Sequence, residues 1–143
     1  QEHGLTIAKN LLDVIATAYG LQHGTRFAES GSISARRAHI RRYVEARLRD
    51  PDLCPASIAD YFGVSTRYIG MICEGEQEPI SAYILRRRLE ECAHQLSNVV
   101  WDAHSVTDIA RAWCFGNRAH FSRVFKKRFG VSPRDYRRLH RAK

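Results

Sequence analysis

Long apolar runs are missing from this chain of 143 residues. None approaches the roughly 18 residues that a membrane-spanning helix needs, and no basic start leads into an apolar stretch of the kind that directs export. Metal-binding spacings are missing too. The four cysteines, Cys54, Cys73, Cys92 and Cys114, form no CxxC pair, and no histidines stand where they would complete a zinc site. His94 lies two residues from Cys92, a spacing that points the two to different faces of a helix. The expectation is four reduced core thiols in a cytoplasmic protein, with no metal and no cofactor. No HExxH, GxSxG or glycine-rich phosphate loop occurs, so an enzyme is not expected. A nucleophilic Cys114 has the weakest support of all, because no His or acid is placed in sequence to activate it.

What is present is an ordinary globular composition, 44% apolar and 27% charged, which suits one domain or two very small ones. The first residue is Gln1, so the chain is expected to be a piece of a longer protein. The formal net charge is +8, and its distribution is uneven. From Asn117 to Lys143 ten basic residues face the single acid Asp135, a net of +9, while the other 116 residues net −1. A basic excess confined to one end favours a polyanionic partner, either nucleic acid or an acidic membrane surface.

Apolar positions recur at helical spacing nearly everywhere, which predicts an all-α fold. Ile7, Leu11, Val14, Ile15 and Ala18 form a stripe that makes residues 1–19 a helix with a broad apolar face, a candidate remnant of an N-terminal effector or dimerisation domain. Residues 20–34 hold three glycines and several hydroxyl residues and read as a linker. Beyond it, Ile40, Val44 and Leu48 define a helix ending before Asp50-Pro51. A helix pair follows over about 55–74, joined by Gly63-Val64. A long helix over about 80–96 carries Leu85, Leu89, Cys92 and Leu96 on one expected buried face. A second helix pair occupies about 105–129. Ser105 with Asp108 forms a capping-box-like start, Asn117 caps the next helix and Gly130 ends it. Ser132-Pro133 opens the last helix.

Residues 54–86 repeat in 105–139. Ile58-Ala59 falls on Ile109-Ala110 at an offset of 51, Ile69 on Phe121 and Cys73 on Phe125 at 52, and Tyr83 on Tyr136 at 53. Each one-residue step fits in a turn or a helix start. The repeat predicts two helix-turn-helix units joined by the long helix, a DNA-binding arrangement or, alternatively, a duplicated helical hairpin used only for packing.

A helix turns roughly 100° per residue, so its apolar face fixes the side chains that point away. In the second unit Phe121, Val124 and Phe125 are inward, leaving Ala119, Ser122, Arg123 and Lys126 outward and Arg118 at the first turn. In the first unit Ile69, Ile72 and Cys73 are inward, and Arg67, Gly70, Met71 and Glu74 face out. Small residues permit close approach to base edges, and Arg suits guanine. Ser65 and Asn117 cap helix N-termini where phosphates can bind, and Lys126 and Lys127 add phosphate-neutralising charge. Trp101, Trp113 and most of Phe115, Phe121, Phe125 and Phe129 follow the buried faces and are assigned to the core.

The run IARAWCFGNRAHFSRVFKKRFGVSPRDY, Ile109 to Tyr136, resembles the signature of the AraC/XylS family of bacterial transcriptional regulators. IADYFGVSTRYIGMICEGEQEPISAY sits where that family's first helix-turn-helix would be. The resemblance covers about residues 35 to 139. It implies a seven-helix DNA-binding domain, preceded here by one extra helix, with recognition helices in successive major grooves of double-stranded DNA and activation through RNA polymerase. By that resemblance Thr66, Arg67, Gly70 and Met71 fall on the first reading helix and Arg118, Ala119, Ser122 and Arg123 on the second. It also allows a homodimer through the N-terminal region. Some positions depart from the pattern: Met71 stands where a basic residue is common, Cys73 where Phe is usual, and Glu74-Gly75-Glu76 is acidic. Cys114 replaces a turn glycine, which implies strain of order 1 kcal/mol if the backbone there is left-handed. Cys54 takes an N-cap that Ser or Thr would fill better. The competing reading is a basic helical module that binds RNA, an acidic protein or a membrane surface.

Overall fold

The computed structural model describes residues 32–74 and 78–141. The expected N-terminal helix, the linker up to residue 31 and the acidic Glu76 lie outside the described residues. Those described form seven α-helices and one short 3-10 turn, with no strand among them. They are α1 Ile33–Glu45, α2 Pro55–Phe62, α3 Thr66–Cys73, α4 Ile80–Ser97, the turn Val99–Trp101, α5 Val106–Ala112, α6 Arg118–Phe129 and α7 Pro133–Arg141. The chain divides into two compact units. One comprises residues up to Ala46 with Asp52–Ser81, the other Arg47–Pro51 with everything from Ala82 onward.

Helix starts follow local capping chemistry. The side chains of Ser32, Ser65, Asn98, Ser105 and Asn117 each accept a backbone N–H from the turn they open, a contact worth about 1 kcal/mol apiece. Ser105 and Asp108 cap each other reciprocally, and Cys54 does the same with Ser57. The Cys54 sulfur accepts the Ser57 N–H at 3.5 Å, so a thiol serves at this cap. α1 opens at Ser32 and so takes in the last residues of the expected linker. It ends at Glu45, and Leu48 is buried from the turn beyond it.

In the first unit Ile40, Val44, Ile58, Phe62, Ile69 and Ile72 form the core. Tyr43, Tyr61 and Phe62 pack as an aromatic group with centroids 4.1 to 5.4 Å apart. The second unit is built on a ladder of rings. Phe115 and Phe121 stand 4.9 Å apart, Phe121 and Phe125 5.5 Å, and Phe125 and Phe129 4.5 Å, with Tyr136 against the last two. The indole N–H of Trp113 donates to the buried Gln95 side chain at 3.0 Å, and the Arg49 guanidinium lies over the indole at 4.5 Å. Arg88 fixes the 47–51 segment by donating to the carbonyls of Leu48 and Asp50.

Several expectations about burial need correction. Leu85 is 36% exposed. It lies in line with Leu89, Cys92 and Leu96, but the first turns of α4 bury Ile80 and Ile84 on another face, and the cover over the Leu89 stripe begins one turn later. Trp101 is half-buried on the short turn, against His104 at 5.0 Å, and Phe129 and Val124 are also half-buried. Met71, expected outward, is half-buried. Of the cysteines only Cys73 and Cys92 are core thiols; Cys54 is exposed at its cap and Cys114 is half-buried, and all four are free.

Candidate nucleic-acid interface

α3 docks through Tyr68, Ile69, Ile72 and Cys73, all buried. Two arginines of α1 hold it in place: Arg36 donates to the Tyr68 hydroxyl, and Arg37 Nε donates to the Ile72 carbonyl at 2.9 Å. This leaves Ser65, Thr66, Arg67, Gly70 and Glu74 exposed on one side, with Met71 at the margin. A Cβ added at Gly70 would meet nothing within 4 Å, so the middle of the exposed face is flat and open. Tyr68, Arg36 and Arg37 were not singled out in sequence, because their role depends on a contact spanning more than 30 residues.

α6 docks through Phe121 and Phe125. Arg128 near its end donates to Glu90 of α4 at 3.0 Å, and Glu90 also receives Arg86 at 3.0 Å and Arg87 at 2.8 Å. Desolvation opposes ionisation of this carboxyl, but hydrogen bonds from Arg87, Arg86 and Arg128 outweigh it and hold Glu90 below the ordinary carboxylate value. On the opposite side Asn117, Arg118, Ala119, Arg123, Lys126 and Lys127 are exposed, and Ser122 is half-buried. The Asn117 side chain accepts the His120 N–H at 2.9 Å. One Arg123 nitrogen lies 3.4 Å from His120 Nδ1, so the guanidinium leans back along the helix toward its N-terminal end.

Each unit carries a groove beside its second helix. The groove of the second unit, about 570 Å³, is lined by Arg111, Arg118, Ser122, Arg134 and Arg137 among others, with no acidic side chain. That of the first unit, about 480 Å³, is lined by Thr66, Gly70, Glu74, Glu78 and Ser81 among others, with no basic one. The internal repeat makes the two grooves equivalent: Thr66 and Gly70 fall on Arg118 and Ser122, and Ser81 falls on Arg134. Arg111, Arg134 and Arg137 were not individually distinguished in sequence. Only their convergence in space sets them apart from the other basic residues.

The turn inside each unit has the same backbone. Gly63 has φ 65° and Cys114 φ 68°, both left-handed. Gly63 N–H donates to Asp60 and Val64 N–H to Ala59; Cys114 N–H donates to Arg111 and Phe115 N–H to Ala110. The strain expected at Cys114 is therefore present, and its thiol donates to the Arg49 carbonyl at 3.2 Å. Two such helix, turn and helix units, each with an apolar inner face and an open polar outer face on its second helix, define a helix-turn-helix protein of the nucleic-acid-binding class.

Comparison with known proteins agrees with this class. A family described as "Helix-turn-helix domain" matches residues 58–139. The chain is 29% identical over 142 residues to the transcriptional activator NphR of a Rhodococcus species, covering 98% of this chain and 41% of NphR. It is 33% identical over 104 residues to the transcriptional activator RhrA of Rhizobium meliloti, covering 73% of this chain and 33% of RhrA. The chain thus spans about a third to two-fifths of the length of these curated relatives. The C-terminal domain of AraT, a response regulator from Geobacillus stearothermophilus, superposes with a TM-score of 0.64 at 28% identity, over 71% of this chain and 83% of that one. A Chromobacterium violaceum regulator described by its AraC-type DNA-binding domain gives 0.62 at 27%, over 71% and 88%. The chain belongs to the helix-turn-helix family of AraC type.

Proposed function

We propose that this chain is the DNA-reading part of a cytoplasmic transcriptional activator, and that α3 and α6 each enter a major groove of duplex DNA. The observation that carries the reading is the duplicated second helix, docked by its apolar face and open, with small residues and arginine, on the other. Thr66, Arg67, Gly70 and Met71 on α3 and Arg118, Ala119, Ser122 and Arg123 on α6 are the base-reading residues in this proposal. Ser65, Asn117, Lys126 and Lys127 hold phosphates. Activation through contact with RNA polymerase, and a homodimer formed through the region before residue 32, are the parts of the proposal that rest on resemblance to AraC-type activators. Among the described residues no helix is long and apolar enough to cross a membrane.

The test is Arg123→Ala, measured on a site selected from random duplexes and on unselected duplex. Loss of a bidentate guanine contact weakens the selected site by about 1 to 3 kcal/mol and relaxes preference at one base pair. Footprinting is expected to protect two segments about one helical turn, roughly 10 bp, apart. An equal loss on both DNAs reassigns Arg123 to the backbone. Binding with no preference for duplex DNA over RNA or acidic vesicles overturns the proposal.

A further inference from the structure

The basic groove of the second unit holds a guanidinium in an unusual state. The Nε and Nη2 atoms of Arg137 are sealed from solvent and have no hydrogen-bond acceptor. Among the described residues they are the only buried side-chain nitrogen or oxygen atoms in that condition. A desolvated, unpaired cation is costly, so folded chains normally pair it or expose it. Arg137 as a whole is half-buried, but these two nitrogens are neither paired nor exposed. Burial lowers its proton affinity and Arg141 repels it, and Asp102, which is paired with Arg141, offsets this only in part. In the internal repeat Arg137 falls on Ile84, which is buried. The second copy therefore places a charge where the first copy places an apolar side chain.

Arg137 does not stand alone. The groove it lines is also lined by Arg111, Arg118 and Arg134, all exposed, and by the Ser132 cap that opens α7. Four guanidinium groups with no carboxylate in the lining make a concave site for one tetrahedral oxyanion, and arginine is the side chain best shaped for phosphate oxygens. The groove borders α6 on the side of Arg118 and Ser122, next to the proposed base-reading residues.

We propose that this groove is a seat for a single backbone phosphodiester of the bound DNA, held by Arg111 and Arg134 at its rim and by the charge of Arg137 behind them, beside the base-reading Arg118. The inference rests on the DNA-binding reading above and deepens it. The equivalent groove of the first unit, lined by Glu74 and Glu78, takes no phosphate. Arg137 is thus left unpaired in the free protein and acquires its counter-ion from the DNA.

The test measures binding of the whole chain to a 30-bp duplex of random sequence over a salt series, alongside thermal melting. One lost phosphate contact makes the plot of log K against log salt shallower by about 0.9. Arg137→Gln is expected to give that change, with a melting temperature equal to or above the original, because the substitution removes a half-buried charge with two unpartnered nitrogens. Arg137→Lys keeps the charge and is expected to restore the slope. Weaker binding with an unchanged slope and a lower melting temperature would make Arg137 a packing residue and overturn the proposal. Unchanged affinity and slope for Arg137→Gln, with Lys126→Ala still flattening the plot, overturns the phosphate seat and leaves the DNA-binding reading standing. If the unaltered chain shows no salt-dependent binding to any duplex, both fall.

Discussion

At the turn between its paired helices the first unit places Gly63 and the second Cys114, in the same left-handed backbone and with the same hydrogen bonds at an offset of 51 residues. Around that shared frame nearly everything electrical differs. The segment from Ser65 to Tyr83 carries Arg67 against Glu74, Glu76 and Glu78, whereas Gly116 to Tyr136 carries six basic residues against Asp135. The grooves repeat the contrast, two glutamates in one and four arginines in the other. The duplicated frame is preserved by apolar and turn positions, while the surface built on it is free to diverge. A repeated fold is therefore compatible with divided labour: one unit suited to holding DNA through charge, the other to selecting sequence with little charge of its own.

The largest expected effect attacks that division through salt. Phosphate neutralisation sets the salt dependence of DNA binding at about 0.9 in slope per contact. Lys126→Ala with Lys127→Ala is expected to flatten the plot of log K against log salt by about one to two units. Glu74→Gln with Glu78→Gln is expected to tighten binding several-fold on all sequences, by removing repulsion from the backbone. If the glutamine variant binds unchanged but no longer activates transcription, the acidic groove faces a protein, and the division of labour is between DNA and a partner.

A smaller effect tests the shared turn. Gly63→Ala forces a side chain into left-handed backbone and is expected to lower stability by about 1 kcal/mol. Cys114→Gly relieves the same strain, but it loosens the unfolded chain and loses the thiol contact with Arg49. The expected net gain is at most about 1 kcal/mol, read by chemical denaturation. A less stable Cys114→Gly protein would mean that the thiol contact outweighs the strain, and the turns would be equivalent in shape alone.

The smallest effect concerns the capping boxes. Hydrogen bonds from the Ser105 side chain and backbone hold the Asp108 carboxyl below its ordinary value. A group with a lowered folded pKa contributes stability above its unfolded pKa, about 4 for Asp, and loses it as the pH falls through the folded value. The corresponding cap of the first unit uses Cys54 and Ser57, which stay uncharged over that acid range. Hydrogen bonds from the backbone and side chain of Ser57 lower the Cys54 thiol from 9.0, so its contribution appears only on the alkaline side. Acid titration is expected to loosen the second unit first, and Asp108→Asn to remove that part of the acid response. An unchanged acid limb in Asp108→Asn would place the sensitivity elsewhere.

What the sequence disclosed follows the range of the interactions. Caps and turns are decided within four residues, so Ser105 with Asp108, Asn117, Gly130 and the left-handed Cys114 are legible in the sequence alone. The repeat was legible because buried positions such as Ile58 and Ile109, or Ile69 and Phe121, keep a period. Burial at element margins was not. Leu85 has the right spacing but no cover, and Trp101 sits on a short turn that periodicity does not describe. The residue type of Cys54 suggests a core thiol, whereas its place at a cap argues for the exposure it has. In the candidate site, charge was legible as a total and not as a location. Arg137 was one of ten basic residues until α5, α6 and α7 brought it together with Arg111, Arg118 and Arg134.

The Trp113 indole, hydrogen-bonded to Gln95 beneath Arg49, also makes the two halves optically distinct. The chain has two tryptophans, Trp101 and Trp113, and both lie in the second unit. Tyr43, Tyr61 and Tyr68 belong to the first. Tryptophan emission during unfolding consequently reports one half of the molecule, while far-ultraviolet circular dichroism reports the helices of both. Coincident transitions by the two probes would mark a single cooperative unit; an emission change that precedes or trails the loss of helix would give the order in which the halves come apart, without a label on either.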